Sequence, residues 1–153
     1  MNKKYKAITS CEVCDSTSLK SVLDLGMHPL CDDLVSVKDN RDCIEFPIEI
    51  LYCINCKTAH QRYQVNKEYL FPISYHYRAR FTSDVLDGMK SLVQSYKKNS
   101  ENIENHVVLD IGCNDGSLLN FFKEEGCKTI GVEPTGAFND AKLNGHHVYN
   151  EYF

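Results

Sequence analysis

Two Cys-x-x-Cys pairs constrain this chain more than any other feature of its sequence. Two intervening residues allow both sulfurs of a pair to reach one side of a tight turn, and two such turns supply four thiolates in tetrahedral directions. Thiolates are soft ligands that favour zinc or an iron–sulfur cluster over magnesium or calcium. We therefore predict a closed structural Zn²⁺ site, and its ligands are Cys11, Cys14, Cys53 and Cys56.

Eight cysteines in 153 residues raise the alternatives of disulfides, redox chemistry or packing without metal. No apolar stretch follows the basic N-terminus and no run is long enough to span a membrane, so we expect a cytoplasmic protein with reduced thiols. A redox Cys-x-x-Cys needs a strand-helix setting that the sequence lacks here. Buried pairs without metal remain the weaker alternative. We expect Cys31 and Cys43, which have no partner at ligand spacing, to be ordinary packed cysteines.

The residue pattern divides the chain into three parts. Residues 1–72 hold six of the cysteines and a short apolar alternation at 46–52 that predicts a strand. Residues 73–105 form a connecting region, in which apolar residues at steps of three and four predict a helix over 82–98. Residues 106–153 have a different pattern and form the third part.

The third part alternates predicted strands and helices. Apolar runs at 107–111 and 129–133 predict buried parallel strands, and 147–149 begins a third. Helices are predicted between them, at 117–125 and 137–144, each closed by a glycine. Alternation at this spacing predicts an α/β fold in which a small zinc-binding N-terminal domain is followed by a parallel sheet of right-handed βαβ units.

A glycine loop with the pattern D-x-G-x-x-x-G lies between the first of these strands and its helix. Gly112 allows a sharp turn off the strand, and Gly116 allows close approach of backbone to a ligand at the helix N-terminus. Glu133 ends the next strand, where an acid can accept hydrogen bonds from both ribose hydroxyls. The candidate cofactor-binding residues are Asp110, Gly112, Asn114, Asp115, Gly116 and Glu133.

The loop does not match the dinucleotide pattern G-x-G-x-x-G. Because it contains Asp110 and Asp115, it is acidic, which disfavours a pyrophosphate but suits the cationic sulfonium and amino group of S-adenosylmethionine. A purely structural turn is the alternative for the loop alone. The loop together with Glu133 is the stronger indication of a cofactor site.

Several motifs follow one another in the order known from one family. They are Cys11-x-x-Cys14, the segments 25–30 and 46–56, Leu70-Phe71, Tyr75-His76-Tyr77-Arg78, the loop 110–119, Gly131-Val132-Glu133-Pro134 and Tyr152-Phe153. On these motifs the chain resembles the sugar C-methyltransferases, whose members join an N-terminal zinc-binding domain to a Rossmann-like class I methyltransferase domain.

The resemblance implies a reaction on a nucleotide-linked keto-sugar. A base removes the acidic proton beside the ketone, and the enolate carbon attacks the sulfonium methyl in line. It also places a substrate-site tyrosine at Tyr75 or Tyr77, although both could equally be packing residues. Arg78 and Arg80 replace a serine-rich step of the family, so they either meet a substrate phosphate or lie on the surface.

The family's sheet has more strands than this chain supplies, and its catalytic histidine and glutamate lie further downstream. We therefore expect the N-terminal part of an enzyme, from a truncated or split gene. The alternatives are a non-catalytic fragment that binds zinc and adenosine, and a methyltransferase acting on oxygen or nitrogen. An open sheet edge predicts self-association or a complementing C-terminal fragment. The net charge of −4 without a basic cluster argues against nucleic acid as a partner.

Overall fold

The chain folds into two units, Met1–Leu70 and Phe71–Phe153. A computed structural model describes residues 4–31 and 33–153. Within that part of the chain, no helix is long and apolar enough to cross a membrane. The helix of the region 73–105 packs within the second unit.

The first unit is built from antiparallel strands. Its described residues form β1 (Tyr5–Ala7), β2 (Leu19–Pro29), β3 (Glu45–Cys53), β4 (Ala59–Gln61), β5 (Tyr63–Val65) and the short helix α1 (Lys67–Leu70). Strand β1 pairs with β5, and β3 lies between β2 and β4. The prediction of a strand at 46–52 agrees with β3, in which Phe46 and Leu51 are buried.

The second unit follows the predicted alternation. It contains a 3₁₀ turn (Ala79–Phe81), α2 (Ser83–Lys98), β6 (Val107–Ile111), α3 (Ser117–Glu124), β7 (Lys128–Val132), α4 (Phe138–Leu143) and β8 (His147–Tyr149). The strands form a parallel sheet in the order β6-β7-β8. The prediction of an α/β chain that opens a Rossmann-like sheet behind a small N-terminal domain is confirmed.

One face of this sheet carries the core of the second unit. Leu119 of α3 and Ala141 of α4 pack against Val108 and Val148 on that face. Helix α2 adds Val93, which packs in a second cluster. Both α3 and α4 therefore cover the same face, as right-handed crossovers in one direction require.

The opposite face of β6 is open, which makes the expectation of a fully buried strand wrong. Val107, Leu109 and Ile111 are 64, 52 and 52% exposed. They alternate with Val108 and Asp110, which are only partly exposed. A continuous apolar run indicates that both faces of a strand are suited to burial. It does not indicate which of the two faces this chain covers.

Candidate functional site

Two equivalent turns present the four predicted metal ligands. In residues 11–16 and 53–58, the N–H of the first cysteine donates to the carbonyl of the last residue, at 2.8 and 2.9 Å. The N–H of the fifth residue donates back to the first cysteine's carbonyl, at 2.9 and 3.0 Å. That fifth residue, Asp15 or Lys57, has a left-handed backbone with φ of 58° or 66°. The same closed turn is thus formed twice and aims two sulfurs each time.

The four sulfurs converge to the dimensions of a zinc centre. All of them lie within 4.8 Å of one another, with 3.4 Å between Cys11 and Cys56 and 3.7 Å between Cys14 and Cys53. A tetrahedral ion with bonds of about 2.3 Å requires sulfur–sulfur distances of roughly 3.8 Å. Four thiolates in this arrangement fit Zn²⁺ and leave no position for a reacting water, so the centre is structural.

Neighbouring polar groups donate to two of these sulfurs. The Asn55 side chain donates to Cys14 Sγ at 3.4 Å, and Thr58 Oγ1 lies 3.2 Å from Cys56 Sγ. The hydrogen bond from Asn55 lowers the pKa of Cys14, and the hydrogen bonds from Thr58 lower the pKa of Cys56 to about 6. Both thiols are thereby prepared for ionisation, which metal coordination requires.

Cys11 is a buried sulfur whose main partner is a histidine. Burial raises the pKa of Cys11 to about 11. At neutral pH this thiol is therefore protonated in the absence of metal and must release its proton when the metal binds. His60, on β4, is buried and places Nε2 at 3.1 Å from Cys11 Sγ. Its Nδ1 lies 3.9 Å from a carboxylate oxygen of Glu12. Nε2 of the imidazole is thus within hydrogen-bonding distance of the sulfur, where outer partners of metal ligands commonly lie.

Replacing His60 should weaken zinc binding without removing a ligand. In His60→Leu, Cys11 loses its buried hydrogen-bond partner, and we expect the zinc affinity to fall roughly 10- to 100-fold. Competition with a chelator at fixed pH measures the change. The control is His28→Leu, because His28 is exposed on β2 and bonds only a local carbonyl in the described contacts. Equal affinities of the two variants would contradict the assigned role of His60.

The two other cysteines of the first unit, Cys31 and Cys43, differ from each other. Cys43 is partly buried and lies 3.6 Å from the Asp33 carbonyl oxygen. Cys31 is exposed, so the expectation that it packs is wrong. It lies in the segment between β2 and β3.

The glycine loop begins with a turn that leaves open space. Gly112 has a φ of +80°, and a side chain there would meet nothing within 4 Å. The N–H groups of Gly112 and Cys113 both donate to the carbonyl of Val132, at 2.8 and 3.2 Å. These bonds hold the start of the loop against the end of β7, while the space beside Gly112 remains available to a ligand.

Gly116 lies at a point of close packing within the second unit. Its φ is +78°, and a Cβ there would lie 2.8 Å from the His146 ring and 3.0 Å from the Ala141 Cβ. The close approach is therefore between the start of α3 and the chain around α4. Substitution at this position would force those elements apart.

Glu133 joins the two segments that follow β6 and β7. It is 4% exposed, and its carboxylate accepts the N–H of Asn114 and the N–H of Thr135, both at 2.9 Å. Each carboxylate oxygen retains a further lone pair. The group can therefore accept hydroxyl donors from a ligand while it holds the loop.

Asp110 adds a second carboxylate at the carboxyl end of the sheet. Burial, and then the charge of Glu133, raise the pKa of Asp110. Burial and the charges of both acids also raise the pKa of Cys113 to about 12, so that thiol is neutral and unsuited to nucleophilic attack. Two neighbouring acids, one buried and one partly exposed, create a negative potential that a cationic ligand would offset.

The Asp115 carboxylate is buried and already bonded to other residues of the protein. It is 1% exposed and accepts hydrogen bonds from the Ser117 N–H and hydroxyl, at 3.2 and 2.6 Å. It also accepts from the Arg80 N–H at 3.0 Å and forms an ion pair with the Arg80 guanidinium at 3.4 Å. The negative charge facing the candidate site therefore comes from Asp110 and Glu133, whereas the sequence grouped all three acids together.

The Tyr-x-Tyr segment lies on the glycine loop. The Tyr77 carbonyl accepts a hydrogen bond of 3.1 Å from the Asn114 amide, and the Tyr77 side chain is partly exposed. The Tyr75 ring lies 6.5 Å from that of Tyr77 and 6.0 Å from that of Phe71. The structure thus brings the predicted substrate segment and the predicted cofactor loop together.

The two arginines after this segment are paired with carboxylates. Arg78 Nε donates to Asp140 at 2.6 Å, and its Nη1 donates to the carbonyls of Tyr75 and Tyr77. Arg80 forms ion pairs with Asp115 and, at 3.3 Å, with Asp140. The two arginines therefore hold the Tyr75–Tyr77 segment in place within the second unit.

The comparison with protein families bears on the cysteine centre. Residues 11–71 match a family model described as "Putative zinc binding domain", a range that includes all four converging cysteines. The first unit is therefore similar to that zinc-binding domain over the matched range. The predicted Zn²⁺ ligation rests on both the match and the sulfur geometry.

One relative matches residues of both units. Over 145 residues, 92% of the chain, the sequence is 26% identical to the C-methyltransferase NovU of Streptomyces niveus. The aligned region covers 34% of that relative, so the chain spans about a third of its length. The resemblance found from the sequence motifs is confirmed.

Proposed function

We propose that this chain supplies the zinc-binding domain and the cofactor-binding part of an S-adenosylmethionine-dependent methyltransferase. The observation that carries the proposal is the Glu133 carboxylate, buried at the end of β7 and bonded to the loop after β6. Open parallel sheets bind ligands beyond the carboxyl ends of their strands. The second unit has its acids and its open glycine turn at that edge.

The charges at this edge favour S-adenosylmethionine over a dinucleotide. Glu133 would accept the ribose hydroxyls, and Asp110 would offset the positive charge of the sulfonium and amino groups. The open side of Gly112 gives the ligand room beside the backbone. A pyrophosphate at the same edge would face Asp110 and Glu133 without compensation.

The residues of this chain would bind and position rather than abstract the proton. When bound, S-adenosylmethionine supplies an electrophilic methyl group. Tyr75 and Tyr77 are candidates to contact the acceptor, because Asn114 and Arg78 hold their backbone beside the loop. The role of the zinc centre would be to keep its own domain folded.

A nucleotide-linked keto-sugar is the acceptor that we propose. The name of the relative supports transfer to carbon and disfavours the alternatives of oxygen or nitrogen. A carbon acceptor must be acidified by a neighbouring group, and the ketone of such a sugar provides this. Incubation of the full protein with labelled S-adenosylmethionine and keto- or hydroxy-sugar nucleotides distinguishes the acceptor atoms by the position of the label.

Calorimetric titration tests the cofactor proposal, with zinc content determined on the same sample. We expect S-adenosylmethionine to bind in the micromolar range and a dinucleotide such as NAD⁺ not to bind. Zinc at one ion per chain without S-adenosylmethionine binding would contradict the proposal. That result would favour the second candidate, a non-catalytic zinc-binding fragment, for which the family match alone is sufficient.

Neutralising Asp110 should have opposite effects on the stability of the folded protein and on its binding of S-adenosylmethionine. Its raised pKa means that the folded state holds the proton more tightly than the unfolded state. The stability that it contributes is present in acid and lost as the pH rises through its folded pKa. At neutral pH, Asp110→Asn should therefore raise the Tm of the ligand-free protein and weaken S-adenosylmethionine binding about tenfold.

Thermal melts and titrations over a pH series measure both effects. The gain in Tm should shrink in acid, where Asp110 is itself neutral. The control is Asp87→Asn, because Asp87 is a largely exposed carboxylate on α2. Tighter S-adenosylmethionine binding by Asp110→Asn would contradict the assigned charge complementarity.

A further inference from the structure

Asn114 makes three hydrogen bonds, each to a different residue. Its backbone N–H donates to Glu133. Its side-chain oxygen accepts the Ala79 N–H at 3.1 Å, and its side-chain nitrogen donates to the Tyr77 carbonyl at 3.1 Å. Asn114 thus connects the acid at the end of β7 to the start of the 3₁₀ turn that follows the tyrosines.

Side chains of the glycine loop supply hydrogen-bond acceptors for the first N–H groups of the 3₁₀ turn. The first N–H groups of any helical turn have no partner within it. Here the N–H of Ala79 is bonded to Asn114 and the N–H of Arg80 to Asp115. Two adjacent side chains of the glycine loop therefore cap the turn that carries the tyrosine segment.

The backbone of Asn114 is set for this role. Its φ is +50°, in the left-handed region that asparagine tolerates better than most residues. Glu133 holds the N–H of Asn114 from one side while the side chain holds the turn from the other. A ligand that tightens the Glu133–Asn114 contact consequently also tightens the contacts to Ala79 and Tyr77.

We propose that Asn114 is a positioning residue that couples cofactor binding at Glu133 to the placement of the Tyr75–Tyr77 segment. In this role Asn114 acts through its neighbours and need not touch the cofactor itself. The inference rests on the proposed function, because it requires a ligand at Glu133. It adds an order to that function: occupation of the cofactor site organises the segment that would receive the acceptor.

Amide hydrogen exchange, followed by NMR, tests the coupling. In the wild-type protein, S-adenosylmethionine should slow exchange of the Ala79 and Arg80 amides. In Asn114→Gly, which keeps the left-handed backbone and removes the side chain, Ala79 should exchange roughly three- to tenfold faster without ligand. It should also gain little protection when the ligand binds.

The matched control is Asn105→Gly. Asn105 is an exposed asparagine of the same unit with the same left-handed backbone, φ 66°. It should retain the wild-type protection of Ala79. If Asn114→Gly does not fold, Asn114→Asp retains an acceptor for the Ala79 N–H and should preserve part of the protection there.

The outcomes separate the coupling from the cofactor assignment. Absence of S-adenosylmethionine binding by the wild-type protein contradicts the proposed function itself. Binding that leaves Ala79 and Arg80 exchange unchanged overturns the coupling but not the cofactor site. Equal ligand-induced protection in wild type and Asn114→Gly also overturns the coupling.

Discussion

Removal of zinc should unfold the zinc-binding domain and leave the helices of the second unit intact. Small domains bury too little apolar surface to be stable alone and commonly depend on metals or disulfides. Most of its longest strand, β2, is exposed. Structural zinc contributes about 10–16 kcal/mol in comparable sites, against roughly 5–15 kcal/mol for the total stability of a domain. We therefore expect the loss of the metal to be decisive.

NMR amide dispersion measures this result unit by unit. After chelation, the signals of β3 and β4 should collapse, whereas those of α2 and α3 should persist. Cys53→Ser should have the same effect, because Cys53 is fully buried at the end of β3. Cys31→Ser is the control, since Cys31 is an exposed cysteine outside the centre. Retention of the β3 signals in the chelated protein would contradict a structural role for zinc.

The same centre should bind zinc more weakly as the pH falls. All four sulfurs must be ionised in the complex, so protons compete with the metal. The pKa of Cys11, about 11, means that its proton is displaced by zinc at neutral pH. The measured affinity should consequently rise with pH throughout the neutral range.

The sequence predicted the second unit better than the first because its signals are local. Apolar runs and closing glycines placed β6 and α3 within one residue of their observed bounds. Strand β2 was not predicted. It contains two register shifts and a left-handed Gly26, and its side chains are mostly exposed. No regular alternation of apolar residues therefore marks it.

The roles of individual site residues depended on contacts that no local pattern contains. Asp115 was grouped with the cofactor residues because it lies in the loop, but its partner Arg80 is 35 positions away. His60 was not assigned because Cys11, which it contacts, is 49 positions away. The four cysteines could be predicted as a group because each Cys-x-x-Cys turn is a local pattern, and the pattern occurs twice.

Loss of the Glu133 carboxylate should abolish S-adenosylmethionine binding. In Glu133→Ala, the ribose hydroxyls would lose their acceptor, and the N–H groups of Asn114 and Thr135 would lose theirs. A hydrogen bond to a charged group contributes about 1.5–3 kcal/mol, and each buried unpaired N–H costs about 1–3 kcal/mol. We expect at least a hundredfold loss of affinity together with a lower Tm.

A second variant separates the ligand contact from the support of the loop. Glu133→Gln keeps the size of the side chain and one oxygen acceptor, so the loop should be less disturbed than in Glu133→Ala. Calorimetry should still show affinity at least tenfold weaker, because the amide nitrogen cannot accept a hydroxyl hydrogen bond. The exposed Glu151 provides the control as Glu151→Gln. A folded Glu133→Gln protein with wild-type affinity would place the ribose elsewhere, since the carboxylate would then serve only to join the segments after β6 and β7.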